Sequence, residues 1–153
     1  MIIKKTLILH VLAFVSVFTS SLPMFALAVD NPDTPDHVKQ FQLKCKPYEQ
    51  AIGKAMSTPE VMDANAKYVE FLDKELNSAY KLIEGKLPKP QKDELKIAQR
   101  EWLKYRDAET RFIGDSWTRE KFGTSCVYST GSYASTIVKD RIIQLLSYAE
   151  GYE

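Results

Sequence analysis

Five residues in the middle of this chain have the types and spacing to do chemistry: Asp73, Asn77, Gln99, Arg106 and Asp107. Asp73 and Asn77 lie one helical turn apart, and a carboxylate beside an amide can receive a fork-shaped guanidinium. Arg106 supplies the guanidinium. It stands near the end of the run Leu95-Lys96-Ile97-Ala98-Gln99-Arg100-Glu101-Trp102-Leu103-Lys104-Tyr105-Arg106-Asp107, where Leu95, Ala98, Trp102 and Tyr105 share one helical face. A helix that turns a large aromatic and a guanidinium toward its own core needs a neighbour carrying acceptors. Such a network can serve as a site or can fix helix register. Partly buried polar networks often specify geometry, so these five residues are read as a structural clasp.

The elements that must position the clasp are helices. Val38, Phe41, Cys45, Tyr48 and Ile52 recur at three and four, giving a first helix from about Asp36 into the low fifties. Pro47 should kink or split it. Ser57-Thr58-Pro59-Glu60 starts a second helix that runs to about Lys86, with Val61, Tyr68, Leu72, Leu76, Tyr80 and Ile83 inward. Leu87-Pro88-Lys89-Pro90 breaks it. A third helix runs from near Gln91 to about Trp117. A less regular stretch, Asp115 to Gly131, precedes a last helix from about Tyr133 to Tyr148, packed through Ile137, Val138, Arg141, Ile142, Leu145 and Tyr148. No period-two strand pattern occurs. The expectation is an all-α antiparallel bundle of about four helices, with a central hairpin around Pro88–Pro90. A tight turn there would set Asp73 near Trp102 and within a turn of Arg106, and Asn77 opposite Gln99.

Residues 1–28 read as a secretory signal peptide. Lys4 and Lys5 are followed by an apolar stretch from Leu7 to Phe18 and by Ala26-Leu27-Ala28. Residues 29–36 form a flexible lead-in with two prolines and three acids, and 37–153 a single helical domain. Cleavage near Ala28 would place the mature chain in the periplasm or outside the cell, with no membrane association afterwards. The signal carries two of the 21 Lys+Arg and none of the 20 Asp+Glu, so the mature balance is −1. A near-neutral chain has no electrostatic footprint for nucleic acid. Both cysteines, Cys45 and Cys126, survive cleavage. In an oxidising compartment an even pair reads as a disulfide, here closing a loop of roughly 80 residues. The alternative is two buried thiols.

Catalytic chemistry is poorly provided. The single histidine after the signal, His37, sits at the lead-in and reads as solvated. No Ser-His or Cys-His pair, no metal cluster and no phosphate-cradling glycine loop can be assembled, so no cofactor, no metal and no enzyme is expected. Acid pairs such as Asp93-Glu94 and Asp107 with Glu109 read as solvated helix faces. Asp115, Trp117, Arg119 and Tyr128 lie in the irregular stretch, where contact with a protein partner would concentrate.

Asp73-x-Glu75-Leu76-Asn77-x-x-Tyr80, followed by Ala98-Gln99-Arg100-x-Trp102-x-x-x-Arg106-Asp107, resembles the LprI-type lysozyme-inhibitor-like domain family, largely uncharacterised bacterial secreted proteins. The resemblance covers roughly Met56 to Leu145. Thr58 and Met62 fit the helix start, and Arg141-x-x-x-Leu145 fits the closing motif. That family commonly carries cysteines where this chain has Asn65 and Thr110, and another near Tyr133, so any bridge here is not the usual one. The resemblance implies a helical fold and a protein partner, with lysozyme (muramidase) as the candidate. A periplasmic immunity or structural and stress module binding another protein is the alternative. Oligomeric state stays open.

Overall fold

A computed structural model describes residues 35–152; the expected signal peptide and most of the expected lead-in lie outside them. The described chain is helical throughout, without strands. α1 spans His37–Lys54, α2 Thr58–Lys86, α3 Lys89–Ser116, α4 Arg119–Phe122 and α5 Ser125–Glu150.

α1 and α2 start where the sequence supplies a side-chain cap. Asp36 accepts from the Lys39 N–H at 2.7 Å. Ser57 accepts from the Glu60 N–H at 3.4 Å, and Glu60 reaches back to the Met56 N–H at 2.7 Å. Pro88 and Pro90 force the turn between α2 and α3. α1 does not split at Pro47. Pro47 lies on the exposed side, where the freed carbonyl of Leu43 meets solvent, so the lost bond costs little. The largest departure from the sequence reading is the stretch from Asp115 to Gly131. It is mostly helical: α3 runs to Ser116, α4 adds one turn, and α5 begins at Ser125 rather than near Tyr133. Gly123, with φ +63°, makes the reversal between α4 and α5, a conformation that other residues rarely adopt.

Pairing of the helices is the second departure. The core is shared chiefly by α2 and α5, not by the α2–α3 hairpin. Leu72, Leu76, Ala79 and Ile83 of α2 pack with Val138, Ile142, Leu145 and Ala149 of α5, while α1 adds Phe41 and Cys45. The two central helices run parallel. Thr58 lies beside Thr124 and Val127, Asn65 against Gly131, and Ile83 beside Ser147 and Gly151. α1 runs against both: Lys44 pairs with Glu75 at 3.1 Å, Lys139 with Glu49 at 2.6 Å, and Glu150 accepts from the Val38 N–H at 3.1 Å. Tyr48 stacks on Phe71, ring centres 4.4 Å apart, sealing the α1–α2 seam. α3 lies outside and packs mainly on α5, sinking only Leu95 and Ile113 fully.

That arrangement removes the expected disulfide. Cys45 and Cys126 are free and buried. The α1–α5 register sets Cys45 level with about residue 143, so Cys126 lies about 17 residues, or ~25 Å, further along α5. A bridge needs Cα atoms within about 7 Å. Burial also raises the Cys45 thiol above its ordinary pKa, keeping it protonated. Without reductant, the native protein is expected to show no fast-reacting thiol, and two after denaturation. Two blocked cysteines after denaturation would mean that they are oxidised.

Candidate functional site

Trp102 organises the face formed by α3 and α5. Its inner edge packs on the core cluster, and two guanidinium groups meet its ring. Arg106, one turn on, places its central carbon 5.7 Å from the ring centre; Arg141 of α5 places its own at 5.8 Å. The two arginines have different surroundings. Arg141 is 8% exposed. Its Nε donates to Oε1 of Gln99 at 3.0 Å and its Nη1 donates to Oε1 of Gln144. Burial pulls its pKa down from the usual value, yet a guanidinium remains charged. Arg106 is partly exposed and donates from Nε and Nη2 to a single oxygen of its neighbour Asp107, at 2.9 and 2.7 Å.

The clasp read from sequence is therefore not the one that forms. Neither Asp73 nor Asn77 receives Arg106. Asn77 Nδ2 donates to the Asp73 carbonyl on its own helix at 2.9 Å, and both residues are exposed. Gln99 is engaged, but by Arg141 rather than across the hairpin. The reason is the packing: α3 lies on α5, so the polar partners on its inner face come from α5. Arg141 was available as a signal. It recurs with Ile137, Val138, Ile142 and Leu145 on one helical face, and a guanidinium there demands acceptors as Arg106 did.

Beside Trp102 and Arg141 lies an open groove of ≈ 340 Å³, lined also by Tyr105, Tyr133, Asp140 and Gln144, among others, but not by Arg106. Tyr133 donates its hydroxyl to Oε1 of Glu109 at 3.3 Å, and the Glu109 charge holds that phenol above its ordinary pKa. Trp117, just past α3, meets the Tyr133 ring edge-on with centres 5.4 Å apart. Tyr105 and Phe112 are more than half exposed on the same helix. Aromatic rings and an arginine on one surface are the composition of a protein-contact patch.

The four residues singled out for partner contact are spread out. Asp115 is exposed in the last turn of α3, Trp117 joins this face, and Arg119 is exposed in α4. Tyr128 stands on α5 at the rim of a separate cavity among α1, α2 and α5. Of the acid pairs, Asp93 is held by Lys89 at 2.8 Å and Glu109 by Tyr133. His37 is half-buried in the first turn of α1. Among the described residues, no three His, Cys, Asp or Glu side chains gather as a metal site.

Fold and face define a small all-α protein that presents an aromatic, guanidinium-bearing surface. The chain belongs to the family described as Lysozyme inhibitor LprI, whose model matches residues 49–147. The match runs from the end of α1 through most of α5 and includes the whole α3–α5 face. The family is described by inhibition rather than by a catalysed reaction. No curated protein and no solved structure matches the chain.

Proposed function

We propose that this protein is exported and inhibits lysozyme without being an enzyme, using the α3–α5 face to cover the enzyme's cleft. The family match over 49–147 carries the proposal. Export rests on the basic start, the apolar stretch and Ala26-Leu27-Ala28, with release into the periplasm or beyond after cleavage near Ala28. Among the described residues no helix is long and apolar enough to cross a membrane.

The chemistry of the face suits the target. Lysozymes cut with two carboxyl groups on either side of a glycosidic bond. An inhibitor that offers a guanidinium can satisfy a carboxylate bidentately while its aromatic neighbours exclude water. Arg106 is placed for this. It is accessible, braced on Trp102, and tied only to the adjacent, half-exposed Asp107 among the contacts described for it. Exchanging Asp107 for a partner carboxylate leaves the rest of the bundle unmoved. Tyr105 and Tyr133 line the groove beside Trp102 and offer a partner apolar bodies with polar tips.

A turbidity assay with purified lysozyme and excess mature protein tests this. Lysis of cell walls is expected to slow, and Arg106→Ala is expected to weaken inhibition at least about tenfold, the scale of losing one charged interface contact. Undiminished lysis at a large excess of protein would exclude lysozyme inhibition.

A further inference from the structure

Arg141 is a buried charge without a counter-ion. It is 8% exposed, and both of its described hydrogen bonds go to neutral amides, Gln99 through Nε and Gln144 through Nη1. Among the described residues no carboxylate pairs with it, and none offsets the burial that pulls its pKa down. Arginine is almost never buried this deeply unless it is paired. Arg106 and Lys139, both less buried, each have an acid, Asp107 and Glu49. Trp102, with its ring centre 5.8 Å from the Arg141 central carbon, supplies only the weak field of an aromatic face.

One end of the guanidinium is left over. No bond is described for Nη2, and the unbonded polar atoms sealed from solvent belong to Asn65 and Ser135, not to Arg141. Nη2 therefore reaches solvent, and the opening that Arg141 lines is the groove of ≈ 340 Å³ beside Trp102. Gln144 lines the same groove and is exposed. Its Oε1 is held by Arg141, which leaves Nε2 of that amide as a second donor. A guanidinium N–H and an amide N–H side by side match the two oxygens of a carboxylate. Asp140 also lines the groove, and Glu109 accepts from the Tyr133 hydroxyl beside it. These two acids disfavour an anion of more than one charge. The Tyr105 and Tyr133 rings give the carbon skeleton of a ligand an apolar wall.

We propose that this groove is a binding site for a singly charged carboxylate, which supplies the counter-ion that Arg141 lacks. Arg141 Nη2 donates to one carboxylate oxygen and Gln144 Nε2 to the other. The carboxylate comes either from the chain end of a short peptide or from an Asp or Glu side chain of a protein. Arg106 and its bond to Asp107 take no part, so the site stands or falls independently of lysozyme inhibition.

The test is an NMR titration of the ¹⁵N-labelled mature chain with sodium propionate, read at the Trp102 indole N–H, the Arg141 Nε–H and the Gln144 side-chain amide. Saturable shifts are expected, with a Kd on the order of 10 mM for so small a ligand. Propionamide has the same shape without the charge and should bind at least about fivefold more weakly. Sodium chloride at equal ionic strength should not reproduce the shifts, and sulfate should bind no more tightly than propionate. Gln144→Glu supplies the missing acid from within the chain. It should weaken propionate at least about fivefold while its Tm does not fall. Asp140→Asn removes a neighbouring negative charge and should tighten propionate about threefold. Both variants leave Arg141 and the core in place. N-acetylalanine and the α-amide of N-acetylglutamate then separate the sources: whichever gains more over propionate names the chain end or the side chain. No saturation, equal binding of propionamide, shifts reproduced by chloride, or tighter binding of sulfate would overturn the proposal. So would unchanged binding in either variant, a lower Tm in Gln144→Glu, or no gain from either larger ligand.

Discussion

Ile142→Ala is expected to lower the unfolding free energy by about 2–5 kcal/mol, measured by urea denaturation. Ile142 is fully buried on the α5 face that meets α2. Truncation there removes apolar area and leaves a hole bounded by two rigid helices, which relax poorly around it. The matched control is Ile97→Ala on α3. Ile97 is nearly half exposed, and its loss should cost less than about 1 kcal/mol. The contrast tests the architecture itself. A bundle centred on the α2–α3 hairpin would bring the two costs together.

The second expected result concerns the two arginines at Trp102. Arg141→Ala should destabilise by about 2–3 kcal/mol, because it removes a buried charged group bonded to two amides and packed on an indole. Arg106→Ala should cost less than about 1 kcal/mol, because its ion pair is with a sequence neighbour at a partly exposed position. Lysozyme inhibition should respond in the opposite order, with Arg106→Ala losing the most activity per unit of stability lost. Thermal melts and turbidity assays on the two variants decide it. A large drop in Tm for Arg106→Ala would make Arg106 the brace and remove it from the contact face.

These expectations mark where sequence reasoning stopped. Helices were legible because their signals are local: Ser57 and Glu60 at one start, Asp36 at another, prolines at the turn, and apolar residues at three and four. Partner choice was not legible. It depends on which apolar stripe is widest and closest, and the stripe of α5 is disguised at its start by small polar residues. Ser125 to Gly131 read as irregular because few of its side chains are large. Those same small residues let α5 approach α2, with Gly131 lying on Asn65. Assigning α3 to α2 then carried the error to Asp73 and Asn77, which were paired with an arginine they never reach. The helical period correctly turned Leu95 and Trp102 inward and Arg106 to the edge, but Ala98 and Tyr105, set on the same face, are exposed. The cysteines were misjudged for a nonlocal reason, a separation along α5 that composition does not encode. Ser135, Glu49 and Lys139 carried no pattern, each being an ordinary helix residue until three helices bring them together, and Asn65 stood out only as a position where the resembled family commonly has cysteine.

The parallel pairing of α2 with α5 also sets when the molecule can fold. Neighbouring core residues such as Leu76 and Ile142 are far apart along the chain, and α5, which completes the core, is made after the other four described helices. During synthesis the apolar stripe of α2 has only α1 to lean on until α5 arrives. Closure of the core therefore waits for α5, and the long intervening segment makes that step slower than in bundles assembled from sequential hairpins.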